Sequence, residues 1–309
     1  MDWIRAGHDR APRHTHALLI LAGMIWGTSF VAGKLGVDST DPYLFSAMRS
    51  LVSAISILPI FFLIKFDYSL FRSKAVWGIA FLNAAGLLLQ NVGLTGTSAS
   101  NTVLLVDINV VIVAVLASLI LKERLNRRIV IGLVMGMTGV ALIATRGDPS
   151  NLGGGTFMGD LLVFLAGVAW AFYIVFTTRE LKKGYSLLCF TSAMILLTSV
   201  FAVPIGVIGT QDWSVDAGGV ALALYTGVFC TTIAFLMYNI GLKALGATTT
   251  SIILLVEMVF GLIFSVLLLG ERPDLWTVIG GSMILMAIAV ISFKGLERAR
   301  MRMRLGEVQ

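Results

Sequence analysis

The chain has 309 residues, 57% of them hydrophobic and only 13% charged, and carries a formal net charge of +6. A mean hydropathy of +0.92 excludes a soluble surface and makes this a membrane protein. The basic balance does not mark a nucleic-acid binder, because the positive residues fall in alternate loops rather than on one face.

Ten apolar runs are long enough for a hydrocarbon core of about 30 Å: His16–Val37, Tyr43–Ile64, Ala75–Leu94, Ser98–Leu121, Ile129–Thr145, Phe157–Thr178, Tyr185–Gly209, Ala217–Gly241, Ala247–Leu269 and Leu275–Phe293. They are continuously apolar, without the alternation a β-barrel strand needs, so an all-α polytopic fold is expected. The N-terminal tail, residues 1–15, holds Arg5, Arg10 and Arg13, and no small-residue cleavage site follows a short apolar core; no removable signal peptide is expected. His14 and His16 can bind metal only weakly. A solvated basic tail is the simpler reading, and no metal or cofactor is expected.

Further basic groups are Lys65, Arg72 and Lys74, then Lys122, Arg124, Arg127 and Arg128, then Arg179, Lys182 and Lys183, then Lys243, and finally the run from Lys294 to Arg304. The opposite loops hold only Arg146 and Arg272. The positive-inside rule then places both termini in the cytoplasm and the chain in the cell's inner membrane. Cys189 and Cys230 lie inside predicted helices and read as small hydrophobes.

The first and second halves repeat one another. Leu21–Gly27 (LAGMIWG) matches Leu165–Ala171 (LAGVAWA) at a separation of 144, and Phe45, Ser46 and Pro59 match Phe190, Thr191 and Pro204 at 145. Asn91-Val92-Gly93-Leu94 matches Asn239-Ile240-Gly241-Leu242 at 148, a register that also aligns Glu123 with Glu271, Gly132 with Gly280 and Asn109 with Glu257. Residues 16–146 and 157–293 are thus expected to be five-helix repeats, joined by the Gly-rich loop 147–156 and followed by a basic tail, 294–309. Five helices per repeat means that the second enters from the opposite side, the inverted arrangement that places a substrate site near the midplane.

Pro59 and Pro204 are the prolines inside predicted helices, at equivalent places, and are candidate hinges. Small residues such as Gly23/Gly27, Ser46/Ser50/Ala54 and Gly132/Gly136 fit close helix contact, within the chain or across a homodimer face.

Polar residues in hydrocarbon carry the functional signal, since a charge at a helix centre costs about 2.5–3.5 kcal/mol on insertion scales. Tyr225, Thr232 and Asn239 recur at seven-residue intervals, predicting one polar face on the eighth helix; Asn83 with Gln90, and Asn91, give stripes on the third. Asn109 and Glu257 sit mid-helix at equivalent positions and are expected to flank a central substrate site, to which Asn101 is added. Asp107, about 200° round the helix from Asn109, is expected to face elsewhere, as a partner of Lys34 or Arg49 or as a proton site. Lys34 and Arg49 are candidates for snorkelling cations or for gating groups in an outer vestibule. Trp26, Trp170, Tyr173, Tyr225 and Tyr238 are candidate aromatic walls. All histidines lie at positions 8, 14 and 16, so an intramembrane zinc or Ser/His enzyme lacks its parts. A channel is a second rival without a filter motif.

Trp26–Val31 (WGTSFV) with Lys34-Leu35-Gly36, Pro42 and Arg49, together with LKERL at Leu121–Leu125 and LLGERP at Leu268–Pro273, resembles the drug/metabolite transporter superfamily and within it the EamA family. The resemblance covers nearly the whole chain. It implies ten helices, cytoplasmic termini and secondary transport of a small molecule by alternating access. The Trp- and Tyr-rich interior is similar to exporters of aromatic amino acids of the YddG type, which implies export of aromatic or neutral amino acids. The chain departs from the family at Val110 and Met258, where members often have proline. The helix break that proline makes there lacks its usual cause.

Overall fold

A computed structural model describes residues 14–97, 102, 105–145, 147–152, 156–269 and 275–304. Its long helices are α1 (Thr15–Ser39), α2 (Pro42–Leu63), α3 (Lys74–Leu94), α4 (Leu105–Ile120), α5 (Arg127–Thr145), α6 (Phe157–Leu181), α7 (Leu187–Gly209), α8 (Ala217–Leu245), α9 (Ala247–Leu254 continued by Val256–Leu269) and α10 (Leu275–Arg304). No strand occurs among the described residues. Helices α1, α2, α3, α6, α7 and α8 are each long and apolar enough to cross a membrane. The protein is an all-α membrane protein.

Several helices start at polar residues that satisfy otherwise orphaned amides. The Asp41 carboxylate accepts from the Tyr43 and Leu44 amides, with Pro42 pre-set for the first turn. Ser73, Thr156 and Asp216 do the same for α3, α6 and α8, accepting from Val76, Gly159 and Gly219. The cap of α9 comes from far away: the Glu123 carboxylate accepts from the Ala247 amide at 3.0 Å, the Thr248 amide at 3.2 Å and the Thr248 hydroxyl at 2.8 Å. The Glu of the LKERL signature thus closes the start of a helix in the other half of the chain.

Packing follows the repeat. Helix α2 lies along α7 and α5 along α10, each beside its own counterpart, whereas α1 packs on α8 and α9 just as α6 packs on α3 and α4. The Asn-x-Gly-Leu signature explains part of this. Asn91 donates to the Ser46 hydroxyl at 2.8 Å and Asn239 to the equivalent Thr191 hydroxyl at 2.9 Å, fixing α3 to α2 and α8 to α7. Pro59 and Pro204 both lie inside their helices, α2 and α7.

Several crossings need glycine, two of them where α1 packs on α9 and α5 on α10. A Cβ on Gly27 would stand 2.6 Å from the Glu257 carbonyl oxygen and 2.8 Å from the Gly261 nitrogen, so α1 touches the backbone of α9 there. Gly139 and Gly280 meet in the same way, each added Cβ falling 2.6 Å from the other's carbonyl oxygen. The contacted atoms are backbone and cannot swing aside. Gly27→Leu is therefore expected to destabilise the fold by about 1–3 kcal/mol through overpacking, measured as thermal unfolding in detergent, while a leucine at Gly78, with open space around it, has little effect.

Candidate functional site

Helix α4 is interrupted in its first described turn and α9 near its middle. In α4 the Val111 amide bonds to the Ile108 carbonyl at 3.1 Å, and in α9 the Met258 amide bonds to the Leu255 carbonyl at 3.2 Å, each one residue tighter than a regular α-turn. The breaks form with Val110 and Met258 in place of the proline. Helix α8 departs in the other sense: Thr226–Ile233 is a π-helical segment, wound one residue looser. In it the Thr231 and Thr232 hydroxyls donate to the carbonyls five residues back.

These irregular segments surround a cavity of about 140 Å³. Some 10–15 Å³ on this measure holds one water molecule, so there is room for a small solute. Trp26, Ser29 and Phe30 line it from α1, Arg49, Ser50 and Ser53 from α2, and Asn83, Leu87 and Gln90 from α3. The α4 wall is Val106, Asp107, Asn109 and Val110, and the α9 wall includes Ser251, Leu255 and Glu257. Trp170, Tyr173, Met194, Thr191, Thr198, Thr231, Phe235, Tyr238 and Asn239 complete it from α6, α7 and α8.

The aromatic side is held rigidly. Trp26 donates its indole N–H to the Cys230 carbonyl at 2.7 Å, within the π-segment, where the loosened winding leaves carbonyls free. Its ring meets those of Tyr238 and Phe235 edge to face at 5.2 and 5.5 Å, and Phe235 meets Tyr173 at 6.0 Å. The equivalent Trp170 donates to the Asn83 side-chain oxygen at 3.3 Å, and Asn83 donates in turn to Thr198 at 3.2 Å.

The charged side is less completely satisfied. Arg49 is only 8% exposed, yet its hydrogen-bonding partner is the Thr231 hydroxyl, at 3.0 Å, and no described carboxylate pairs with it. The Asp107 and Glu257 carboxyl groups, one from each repeat, line the same cavity. One Asp107 carboxyl oxygen, the Asn239 side-chain oxygen and the Ser50, Tyr173 and Ser251 hydroxyls are buried without partners among the described residues. An unsatisfied buried polar group costs about 1–3 kcal/mol, so five of them around one cavity call for a polar guest.

Of the residues singled out from sequence, Trp26, Asn83, Gln90, Asn109, Trp170, Tyr173, Tyr238, Asn239, Glu257, Asp107 and Arg49 meet at this cavity. Asp107 corrects the expectation that it faces away from Glu257, because the tightened turn at Ile108 breaks the regular 100° step. Arg49 points inward and does not snorkel. Tyr225 does not line the cavity: the π-segment rotates it out of register with Asn239, and its hydroxyl pairs with Thr28 instead. For the same reason Thr231, rather than Thr232, faces Arg49, while Thr232 pairs with Ser56. Asn91 is buried against Ser46, away from the cavity. Lys34 pairs with Asp38 at 2.8 Å on its own helix. Asn101 lies outside the described residues. Ser50, Ser53, Thr191, Thr198 and Ser251 were not anticipated, although Thr191 and Thr198 stand seven residues apart on α7.

A cavity with polar and charged groups among aromatic walls, lined by both halves of a helical membrane bundle, fits a membrane transporter for a small-molecule substrate. Comparison with known proteins gives the family. The profile of the EamA-like transporter family matches residues 14–145 and again 157–293, and the chain belongs to that family. It is 26% identical over 288 residues to an uncharacterized transporter of Archaeoglobus fulgidus, covering 91% of this chain and 98% of that one. With the uncharacterized transporter YyaM of Bacillus subtilis it shares 28% over 302 residues, 91% of this chain and 94% of the relative. A solved structure described as "Crystal structure of protein" superposes with a TM-score of 0.76 at 17% identity, over 94% of this chain and 99% of its own, a likeness that bears on the fold.

The two asparagine bonds separate structure from function. Asn91→Ala is expected to lower stability by about 0.6 kcal/mol and at most ~1.7, the range of interhelical hydrogen bonds in membranes, with solute transport little changed. Asn239→Ala should cost the same stability and also weaken transport, since its free oxygen faces the cavity. Thermal unfolding paired with uptake rates for both variants checks this.

Proposed function

We propose that the protein exports small zwitterionic metabolites, amino acids with aromatic or neutral side chains above all, across the cell's inner membrane by alternating access. One observation carries the reading: a buried guanidinium without a carboxylate partner and a pair of carboxyl groups share one aromatic cavity. Arg49 takes the substrate carboxylate in a charge-assisted, two-pronged contact, and the Asp107–Glu257 pair takes the ammonium. Trp26, Trp170, Tyr173 and Tyr238 hold the side chain, and Asn83, Gln90, Asn109 and Asn239 supply neutral donors and acceptors.

Both termini lie in the cytoplasm on this reading, as the loop charges require. The two five-helix halves, residues 16–146 and 157–293, rock about the cavity, with Pro59 and Pro204 as hinges that give up a backbone hydrogen bond at matched places in α2 and α7.

Purified protein in liposomes preloaded with a panel of amino acids tests the proposal. Counterflow of aromatic or neutral amino acids is expected. Failure of every amino acid to cross would sink the substrate assignment and leave the family's transport function standing. Arg49→Gln should raise the half-saturating concentration about tenfold to a hundredfold, the equivalent of losing a hydrogen bond to a charged group at ~1.5–3 kcal/mol.

A further inference from the structure

The separation of 148 that aligns Asn91 with Asn239 also aligns Asn83 with Thr231, yet the two side chains are put to different uses. In α3, an uninterrupted α-helix, the Asn83 oxygen accepts from the Trp170 indole at 3.3 Å and its amide donates to Thr198 at 3.2 Å. In α8 the equivalent tryptophan, Trp26, is met by a backbone acceptor instead, the Cys230 carbonyl within the π-segment. The side chain at 231 is thereby released, and Arg49 takes it.

A threonine hydroxyl has one proton to give and two lone pairs. The Thr231 proton goes to the Thr226 carbonyl at 3.0 Å, five residues back, an acceptor that π-winding brings within reach. Toward Arg49 the hydroxyl can then only accept, and it does so from Nε at 3.0 Å. A guanidinium is a planar fork that grips a carboxylate through two parallel N–H groups. It offers two edges for this, the side edge that includes Nε and the end edge made by both Nη groups. Thr231 occupies the side edge. No described residue accepts from either Nη, and neither is fully enclosed. Arg49 lines the cavity, which is where an acceptor can reach them.

We propose that Thr231 is the positioning residue of an anion subsite: by holding Nε it makes the Nη edge of Arg49 the docking edge, so that a substrate carboxylate is taken end-on. The proposal rests on the amino-acid reading above and deepens it. The π-segment of α8 is then part of the site, because it supplies both the Cys230 carbonyl that frees position 231 and the Thr226 carbonyl that fixes the direction of the Thr231 hydroxyl. A guanidinium held at one nitrogen also has less freedom to lose when the ligand arrives.

Nuclear magnetic resonance of the full-length protein labelled with ¹⁵N-arginine tests this, with the Arg49 signals assigned by their loss in Arg49→Lys. In the ligand-free protein the Nε–H should be protected from exchange with water. Thr231→Val keeps the shape and removes the acceptor, so the Nε resonance should move and its protection disappear, and Thr231→Ser should restore both. Thr232→Val is the control: Thr232 makes the same kind of bond to the Gly227 carbonyl but faces Ser56, and the Arg49 signals should stay in place. Phenylalanine should move the Nη resonances and leave Nε where it is. In counterflow, Thr231→Val should raise the half-saturating phenylalanine concentration about tenfold, the low end for a hydrogen bond to a charged group, with the maximal rate little changed.

Protection of Nε surviving in Thr231→Val, an equal loss in Thr232→Val, or a phenylalanine-induced shift at Nε as large as that at Nη would each overturn the proposal. Should Thr231→Val not fold, the Thr231→Ser spectrum and the phenylalanine titration of the unaltered protein still decide it. Phenylpropionate, a carboxylate of the same shape without the ammonium, separates the two readings. If it moves Nη and no amino acid does, the substrate reading fails and the anion subsite stands; if neither moves Nη, the subsite itself is overturned.

Discussion

Inside a bilayer there is no water to satisfy a polar group, so the protein must do it from within. Most of the architecture follows from that requirement. Thr and Ser hydroxyls on the helices donate back to carbonyls one turn earlier, as Thr178 does to Ile174 and Ser46 to Pro42. The equivalent asparagines, Asn91 and Asn239, spend their amide donors on the hydroxyls of Ser46 and Thr191. The π-segment of α8 is the largest concession. It frees the Cys230 carbonyl for Trp26 and turns the Thr231 hydroxyl toward Arg49. The rule lapses in scattered places such as Thr40, Thr177 and Ser192, and most densely around the cavity, at Ser50, Asp107, Tyr173, Asn239 and Ser251.

The cavity inherits the symmetry of the repeat in shape but not in charge. Trp26 faces its counterpart Trp170 across it, and the broken helices enter from equivalent places. Yet the ionisable positions have uncharged equivalents: Arg49 corresponds to Met194, Asp107 to Leu255 and Glu257 to Asn109, and all six line the cavity. A symmetric container with asymmetric charge gives an enclosed dipolar solute one preferred orientation. It also means that neither repeat alone holds a complete site, since the cation and one acid come from the first half and the other acid from the second.

How much of this was legible in the sequence depends on the scale of regularity involved. Spans and repeats are written in composition and in fixed separations, which tolerate local distortion, and Glu257 was visible as a charge in an apolar run. The facing of Asp107 was not. A phase argument assumes 100° per residue, and one tightened turn at Ile108 invalidates it. Tyr225 was misassigned for the opposite reason, because the π-segment adds residues to a turn and carries a seven-residue stripe off its face. Ser50, Ser53 and Ser251 were hidden by their chemistry. The same small hydroxyl serves a close helix contact, a bond to its own backbone and a ligand, and spacing cannot separate those uses.

The bonds between the halves also bear on how such a cavity opens. On the face of the α4–α5 and α8–α9 loops, Glu123 holds the α9 amides, with Lys182 at 3.7 Å beside it. On the opposite face the Gly96 carbonyl accepts from the Thr156 amide at 2.7 Å, Thr97 bonds to Asp160, and Asp41 accepts from the Gln211 amide at 3.2 Å. Both ends thus carry hydrogen bonds between the two halves. Each tie is a partly hydrated hydrogen bond worth about 0.5–1.5 kcal/mol, so either face can release at the loss of a few kcal/mol. That is the gap across which a ligand redistributes conformers. The central contacts differ in kind: Gly27 against the α9 backbone, and Ser199, whose hydroxyl donates to the Ser50 carbonyl at 2.8 Å, are buried, and breaking them would expose polar groups to hydrocarbon. Loss of an end tie therefore costs less than loss of a central contact, because the groups it frees are met by water.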